Sequence, residues 1–442
     1  MFKQVLKNKF LGNIASLGFI NIANYLFPII TVPIVARALG PEKIGITNYT
    51  ASFVSYFILF VSYSFNVTGT RRVAKDPYNS ALVNKAFSEV FNAQVLLFIL
   101  STAIFFVCIK YFAPIQNENT LAWFSYLNCV AALFTQNWLF WAKQEIRLVA
   151  LLNLIPRIIT TLCIIFFIRK ESDYIKYALL VNGIALLIGL MSFGWSIKRY
   201  KLKLHRVPIK QLATVIWNDR ILFFSNIITS VYTTTGIIIL GFFMPINQVA
   251  YYTAAQKVID VLRSIIIMPV NQAFFPIIVK AFGDNHEQGI KMLKKYLPLF
   301  IIITISILLI IEVSGPIIIK VLYGPKFISS IPIFLIVNVG LFFVFYGYFF
   351  GINAMLPMGM DKICVRIQII VSIISLILTC IFVPQFGGIG TAVIWTLSEF
   401  IVASSQILVL RKKGYSFFNK NIFTIKYYHD GLRDLKLLLR KN

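Results

Sequence analysis

Three ionisable residues, Lys257, Asp260 and Arg263, sit inside a stretch, 248–276, that is otherwise apolar and long enough to cross a bilayer. At 100° per residue Thr253, Lys257, Asp260, Ser264 and Asn271 share one helix face, with Arg263 about 60° to its side. A charged side chain at mid-membrane costs roughly 2.5–3.5 kcal/mol on insertion scales. Three of them within two turns are therefore expected to face a watered, protein-lined cavity rather than lipid. The i, i+3 spacings let Asp260 neutralise one cation and leave the other to hold an anion. The competing account is a structural ion pair that locks neighbouring helices.

Other polar residues in apolar runs extend the candidate set. In the first run Asn24 shares a face with Asn13 and Thr31, Asn21 adjoins it, and Pro28 and Pro33 offer two bending points for a gate. Pro269 and Pro276 do the same for 248–276. Arg37, near the end of the first run, and Arg157, after Pro156, are further cations for an anionic substrate. Asp260 and Glu399 are the acids near the middle of spans and the candidates for binding a coupling proton or cation. Simpler roles exist for each: amides bridging helices, Arg37 snorkelling to the interface, and Glu399 in a helix-to-helix hydrogen bond.

The elements that must position these residues are transmembrane helices. Of 442 residues, 58% are hydrophobic and 13% charged, whereas soluble domains are nearer 45–50% apolar. Runs of about 20 residues occur near 11–38, 44–66, 87–112, 119–141, 147–168, 174–197, 219–243, 248–276, 293–313, 328–351, 363–383 and 387–410. The expected fold is an all-α polytopic membrane protein of about twelve spans, the basic start being a retained first span. Both termini are expected in the cytoplasm, because that orientation puts thirty-one Lys and Arg inside against seven outside. The basic segment 198–218 divides the spans into two six-helix bundles, 1–197 and 219–410, followed by a basic tail, 411–442. Six is even, so any repeat is parallel, related by a pseudo-two-fold normal to the membrane. At an offset of 205, Phe19 and Asn21 match Phe224 and Asn226, while Ile44 and Gly45 align with Val249 and Ala250. The tail's Leu432, Leu435, Leu438 and Leu439 suit an amphipathic helix on anionic lipid.

The net charge of +26 is spread through short segments between spans, which argues for topology rather than nucleic-acid binding. The five cysteines are scattered singly, without CxxC or Cys/His clustering, and Trp138 and Trp141 fit an interfacial aromatic belt. No Walker A pattern, metal-ligand set, cofactor motif or triad is present.

The run Asn24-Tyr25-Leu26-Phe27-Pro28, with Pro33, Arg37, Leu39-Gly40-Pro41 and Gly45, resembles the opening of Wzx-type polysaccharide (O-antigen) flippases of the multidrug/oligosaccharidyl-lipid/polysaccharide exporter superfamily. Tyr63-Ser64-Phe65-Asn66, Thr70-Arg71, Asn137-Trp138-Leu139-Phe140, Asn153-Leu154-Ile155-Pro156-Arg157, and then Tyr252, Ala255, Lys257, Pro269, Gln272 and Pro276 continue it across the chain. The resemblance implies a V-shaped pair of bundles that moves undecaprenyl-pyrophosphate-linked oligosaccharide to the outer leaflet of the bacterial inner membrane. It further implies a non-enzymatic transporter with a polysaccharide polymerase and a chain-length regulator as partners; exchange for protons or sodium is the coupling it suggests, and the membrane potential acting on an anion moving outward is the alternative. A cation-coupled multidrug exporter would prefer an acidic cavity. A membrane polymerase or glycosyltransferase would need an acid–base constellation or a large loop, and the sequence has neither.

Overall fold

The structure, a computed structural model, describes residues 2–418, and the side chains of residues 27–418 other than 113, 268, 272, 273 and 284. The tail expected to lie on lipid, and the side chains of Asn13, Asn21 and Asn24, fall outside what is described.

The described chain is helical and without strands. Its helices are α1 (Phe2–Ser62), α2 (Phe65–Ala74), α3 (Ser80–Tyr111), α4 (Ala113–Gln116), α5 (Asn119–Phe134), α6 (Asn137–Ala142), α7 (Ile146–Phe167), α8 (Tyr174–Tyr200), α9 (Ile209–Phe243), α10 (Ile246–Asp284), α11 (His286–Tyr323), α12 (Ser330–Tyr346) and α13 (Asp361–Lys412). Gly347–Met355 continues α12 as a π-helix. Among the described residues nine helices are long and apolar enough to cross a membrane. Two of these are pairs in disguise: α1 breaks at Gly40 (φ 69°, ψ 173°) and α13 at Gly387 (φ 55°, ψ −134°). Both torsions lie in the left-handed half of the map, where a Cβ is strained and glycine is not. Counting both arms of each, together with the short α5, gives the twelve expected runs.

Helix α1 runs unbroken past Pro28 and Pro33, and its departure from helical torsions falls at Gly40. The Thr31 hydroxyl donates to the Phe27 carbonyl, 3.0 Å away, between those prolines.

The chain divides into two compact units. The first comprises Met1–Ser230, Pro245–Ala250 and Leu322–Lys326; the second comprises Val231–Met244, Tyr251–Val321 and Phe327–Asn442. The first is centred on Phe65, Phe87, Leu139 and Trp138, all fully or almost fully buried. Trp138 is thus a core residue rather than part of an aromatic belt: its indole packs on Gly69 and its Nε1 donates to Gln136. Trp141 stays exposed. Gln136 fills the break between α5 and α6, and its amide donates to the Leu133 carbonyl at 2.7 Å.

The basic segment after α8 is strapped to this unit. Lys203 and His205 donate backbone N–H groups to Asn84 and Ser88 on α3, and Arg199 grips Glu145 with two nitrogens at 3.0–3.2 Å. The start of α9 is pinned by Arg72, which reaches Asp219 at 2.8 Å and Glu89 at 3.6 Å, while Gln211 donates to Glu89 at 2.7 Å. Both acids are almost covered, so Arg72→Ala strands the Asp219 carboxylate and leaves Glu89 with Gln211 but no cation. It is expected to cost roughly 1–3 kcal/mol, read as a lower melting temperature in detergent. Adding Glu89→Gln and Asp219→Asn should restore most of the loss; no recovery would mean that Arg72 stabilises by packing alone.

Candidate functional site

The polar stripe of α10 finds its partners largely along the helix itself. Tyr252, Thr253, Ala254 and Ala255 are buried, and beyond them Lys257 and Asp260 are exposed while Arg263 is half-buried. Asp260 interacts with Lys257 and Arg263 and is hydrogen-bonded to Gln256. Arg263 Nη2 donates to Tyr348 Oη at 3.2 Å, with the guanidinium 5.8 Å from that ring's centroid. A charge held on an aromatic face and a hydroxyl at once is fixed in direction as well as position.

Glu399, half-buried on α13, is the carboxylate that joins this group from another helix. It acts on Arg263 and on Tyr232 of α9, and Tyr232 in turn feels Arg263 and Tyr348. Four elements of the second unit therefore bring these groups within electrostatic reach of one another: α9 through Tyr232, α10 through Asp260 and Arg263, the π-helix through Tyr348, and α13 through Glu399. Among the described residues Arg263's direct hydrogen bond goes to Tyr348, and the two acids act on it through space. A guanidinium carries five N–H donors, so the arrangement can still offer several to an incoming anion.

The structure thus brings together Lys257, Asp260, Arg263 and Glu399. The other cations belong to the first unit. Arg37 is exposed, its stem lying against Gly324, and Arg157 is half-buried on α7. Around Arg37's end of that unit lie charged contacts, among them Lys326–Glu171 at 3.4 Å and Lys43 above the Tyr174 ring at 4.9 Å. Pro28 and Pro33 are half-buried in α1, and Pro269 is exposed on α10.

Sequence reasoning missed Tyr348 and Tyr232. Their signal was faint: each is one hydroxyl-bearing ring in a stretch rich in other residues, Tyr348 among phenylalanines and Tyr232 beside three threonines. Tyr232 also borders a hydroxyl-lined pocket of about 310 Å³ of atom-free space, with Thr235, Tyr252, Ser375, Thr379 and Thr391. A second space of about 600 Å³, almost wholly apolar, lies between α10, α11 and the π-helix. Among the described residues no cluster of His, Cys, Asp and Glu could hold a metal ion.

Comparison with known proteins places this architecture. The chain is 28% identical over 406 residues to an Escherichia coli (strain K12) protein named "Putative O-antigen transporter", covering 90% of this chain and 96% of that one. A solved structure of the lipid II flippase MurJ in an inward closed conformation superposes with a TM-score of 0.68 at 16% identity, over 96% of this chain and 92% of that one. An inward-facing multidrug resistance MATE transporter of the MOP superfamily gives 0.66 at 13% identity, over 88% and 94%. These likenesses between structures establish a shared fold: an all-α architecture of many long apolar helices. The family model described as polysaccharide biosynthesis protein matches residues 10–282, and the chain belongs to that family.

Proposed function

We propose that the chain is a flippase that carries undecaprenyl-pyrophosphate-linked oligosaccharide from the cytoplasmic to the outer leaflet of the bacterial inner membrane, by alternating access and with both termini in the cytoplasm. The observation that carries this reading is Arg263, held by Tyr348 inside an apolar helix array with Lys257 on the same helix. Guanidinium and ammonium groups in a low-dielectric setting suit a pyrophosphate. The hydroxyls beside Tyr232 suit sugar hydroxyls. Arg37, Arg157, Asn21 and Asn24 are proposed as further substrate contacts, and Pro28, Pro33 and Pro269 as bending points. A polysaccharide polymerase and a chain-length regulator are the proposed partners.

The parallel repeat of two six-helix halves, with 198–218 as linker, belongs to the same reading. At an offset of 205 Gly45 aligns with Ala250, as a parallel repeat of the two halves requires.

The test is complementation of a flippase-deleted strain by a panel of glycan clusters. Restored surface glycan with at least one cluster is expected. Raised resistance to cationic drugs without any glycan would instead favour a multidrug exporter. Energy could come from the membrane potential, worth roughly 2.3 kcal/mol per charge per 100 mV for an anion moving outward, or from proton or sodium exchange at Asp260 and Glu399. Glu399→Gln and Asp260→Asn distinguish the two. Exchange predicts at least a tenfold fall in transport with lost dependence on pH or sodium, while unaffected export would remove both acids from coupling.

A further inference from the structure

Beyond Arg263, the same face of α10 changes character. Ile267, Val270, Asn271 and Phe274 follow Arg263 at i+4, i+7, i+8 and i+11, one continuous stripe. That stripe forms one wall of the apolar space of about 600 Å³ described above. Helix α11 supplies Tyr296, Phe300 and Ile303, and the π-helix supplies Phe349 and Asn353. Aromatic rings line it in mutual contact: Phe274 on Tyr296 at 5.4 Å, and Phe300 on Phe349 at 4.7 Å. Its polar edge is the Asn353–Asn271 amide pair, bonded at 2.8 Å. Val270 and Ile303 are exposed, so the groove is open along one side.

Tyr348 belongs to both features. Its ring lines the groove, and its hydroxyl holds the Arg263 guanidinium. A cation at the head of an apolar, ring-walled groove is complementary to an anionic amphiphile, with the charge at one end and a slender hydrocarbon at the other. We infer that the groove between α10, α11 and the π-helix binds the polyisoprenoid chain of a lipid diphosphate whose head sits on Arg263. Methyl-branched isoprene units present flat, repeated faces to the rings. The inference rests on the flippase reading and names where that substrate's hydrocarbon is held.

Binding to the purified full chain in detergent separates the two ideas. The probes are radiolabelled farnesyl diphosphate, inorganic diphosphate and dioleoyl phosphatidic acid. Farnesyl diphosphate is expected to bind at least tenfold more tightly than inorganic diphosphate, since buried hydrocarbon adds affinity the head alone lacks. Val270→Trp and Ile303→Trp, which fill the groove from opposite walls at exposed positions, should each erase most of that advantage and leave inorganic diphosphate binding unchanged. Arg263→Ala should weaken both. Unchanged retention of farnesyl diphosphate by both tryptophan variants, or equal displacement by phosphatidic acid, would overturn the groove as an isoprenoid site. Failure of the flippase reading appears elsewhere, as failed complementation with this binding pattern intact.

Discussion

Arg263→Ala is expected to abolish surface glycan in a complementation assay while the protein still inserts in the membrane at near-normal level. Losing a charge-assisted hydrogen bond costs about 1.5–3 kcal/mol, roughly ten- to a hundredfold in transport when the contact is to the substrate. Arg263→Lys should be intermediate, because an ammonium keeps the charge but cannot present a planar fork while also holding Tyr348. The alanine variant also deprives Asp260 and Glu399 of their shared cation. The double change Arg263→Ala with Glu399→Gln therefore separates two causes. Measured against Glu399→Gln alone, a double variant that falls further means that the cation itself contacts the substrate; recovery above Arg263→Ala would point to a stranded carboxylate instead. Lys257→Ala should act in the same direction as Arg263→Ala, and normal glycan in both single variants and their double would eliminate this site.

The second large effect lies far from that cluster. Gly45 sits on the arm of α1 that follows Gly40, and a Cβ there would run into the backbone carbonyl of Ile246 and meet the Ala250 nitrogen at 3.5 Å. Backbone cannot rotate aside as a side-chain tip can. Gly45→Ala is therefore expected to cost at least about 1–3 kcal/mol, the usual penalty of overpacking, and to lower the monodisperse yield on fluorescence-detected size exclusion. Gly194, in α8 and with nothing within 4 Å of its would-be Cβ, is the matched control. There alanine should stabilise slightly, by about 0.5–1 kcal/mol, because helical glycine is entropically poor. A Gly45→Ala protein as stable as the control would mean that α1 and the start of α10 can separate without penalty.

These two positions show what a chain of this kind discloses before it folds. The spans were legible because hydrocarbon tolerates few polar groups, so long apolar runs can be read directly. Lys257, Asp260 and Arg263 were legible for the complementary reason, standing out against that background. Glu399 was visible as an intramembrane acid, but its meeting with Arg263 was not, since helix pairing leaves no local periodicity. The first helix taught a different lesson. Two prolines drew attention to Pro28 and Pro33, yet the helix continues through both and the reversal falls at Gly40, where only a residue without a Cβ adopts those torsions easily. Trp138 misled because an aromatic residue near a span's end has two uses, and only the depth of packing around Gly69 separates core from interface.

The π-helix at Gly347–Met355 carries a consequence of its own. A π turn closes its ring one residue later than an α turn, so reverting it to α would re-phase everything downstream by about 100° about the axis. Tyr348 stands near the start of the segment and Asn353 near its end. Such a one-residue click would carry the amide off Asn271 while the phenol kept its guanidinium. The two ends are also tied to each other, since Asn353 Nδ2 donates to the Tyr348 carbonyl at 3.3 Å, so such a click would have to break that bond together with the amide pair.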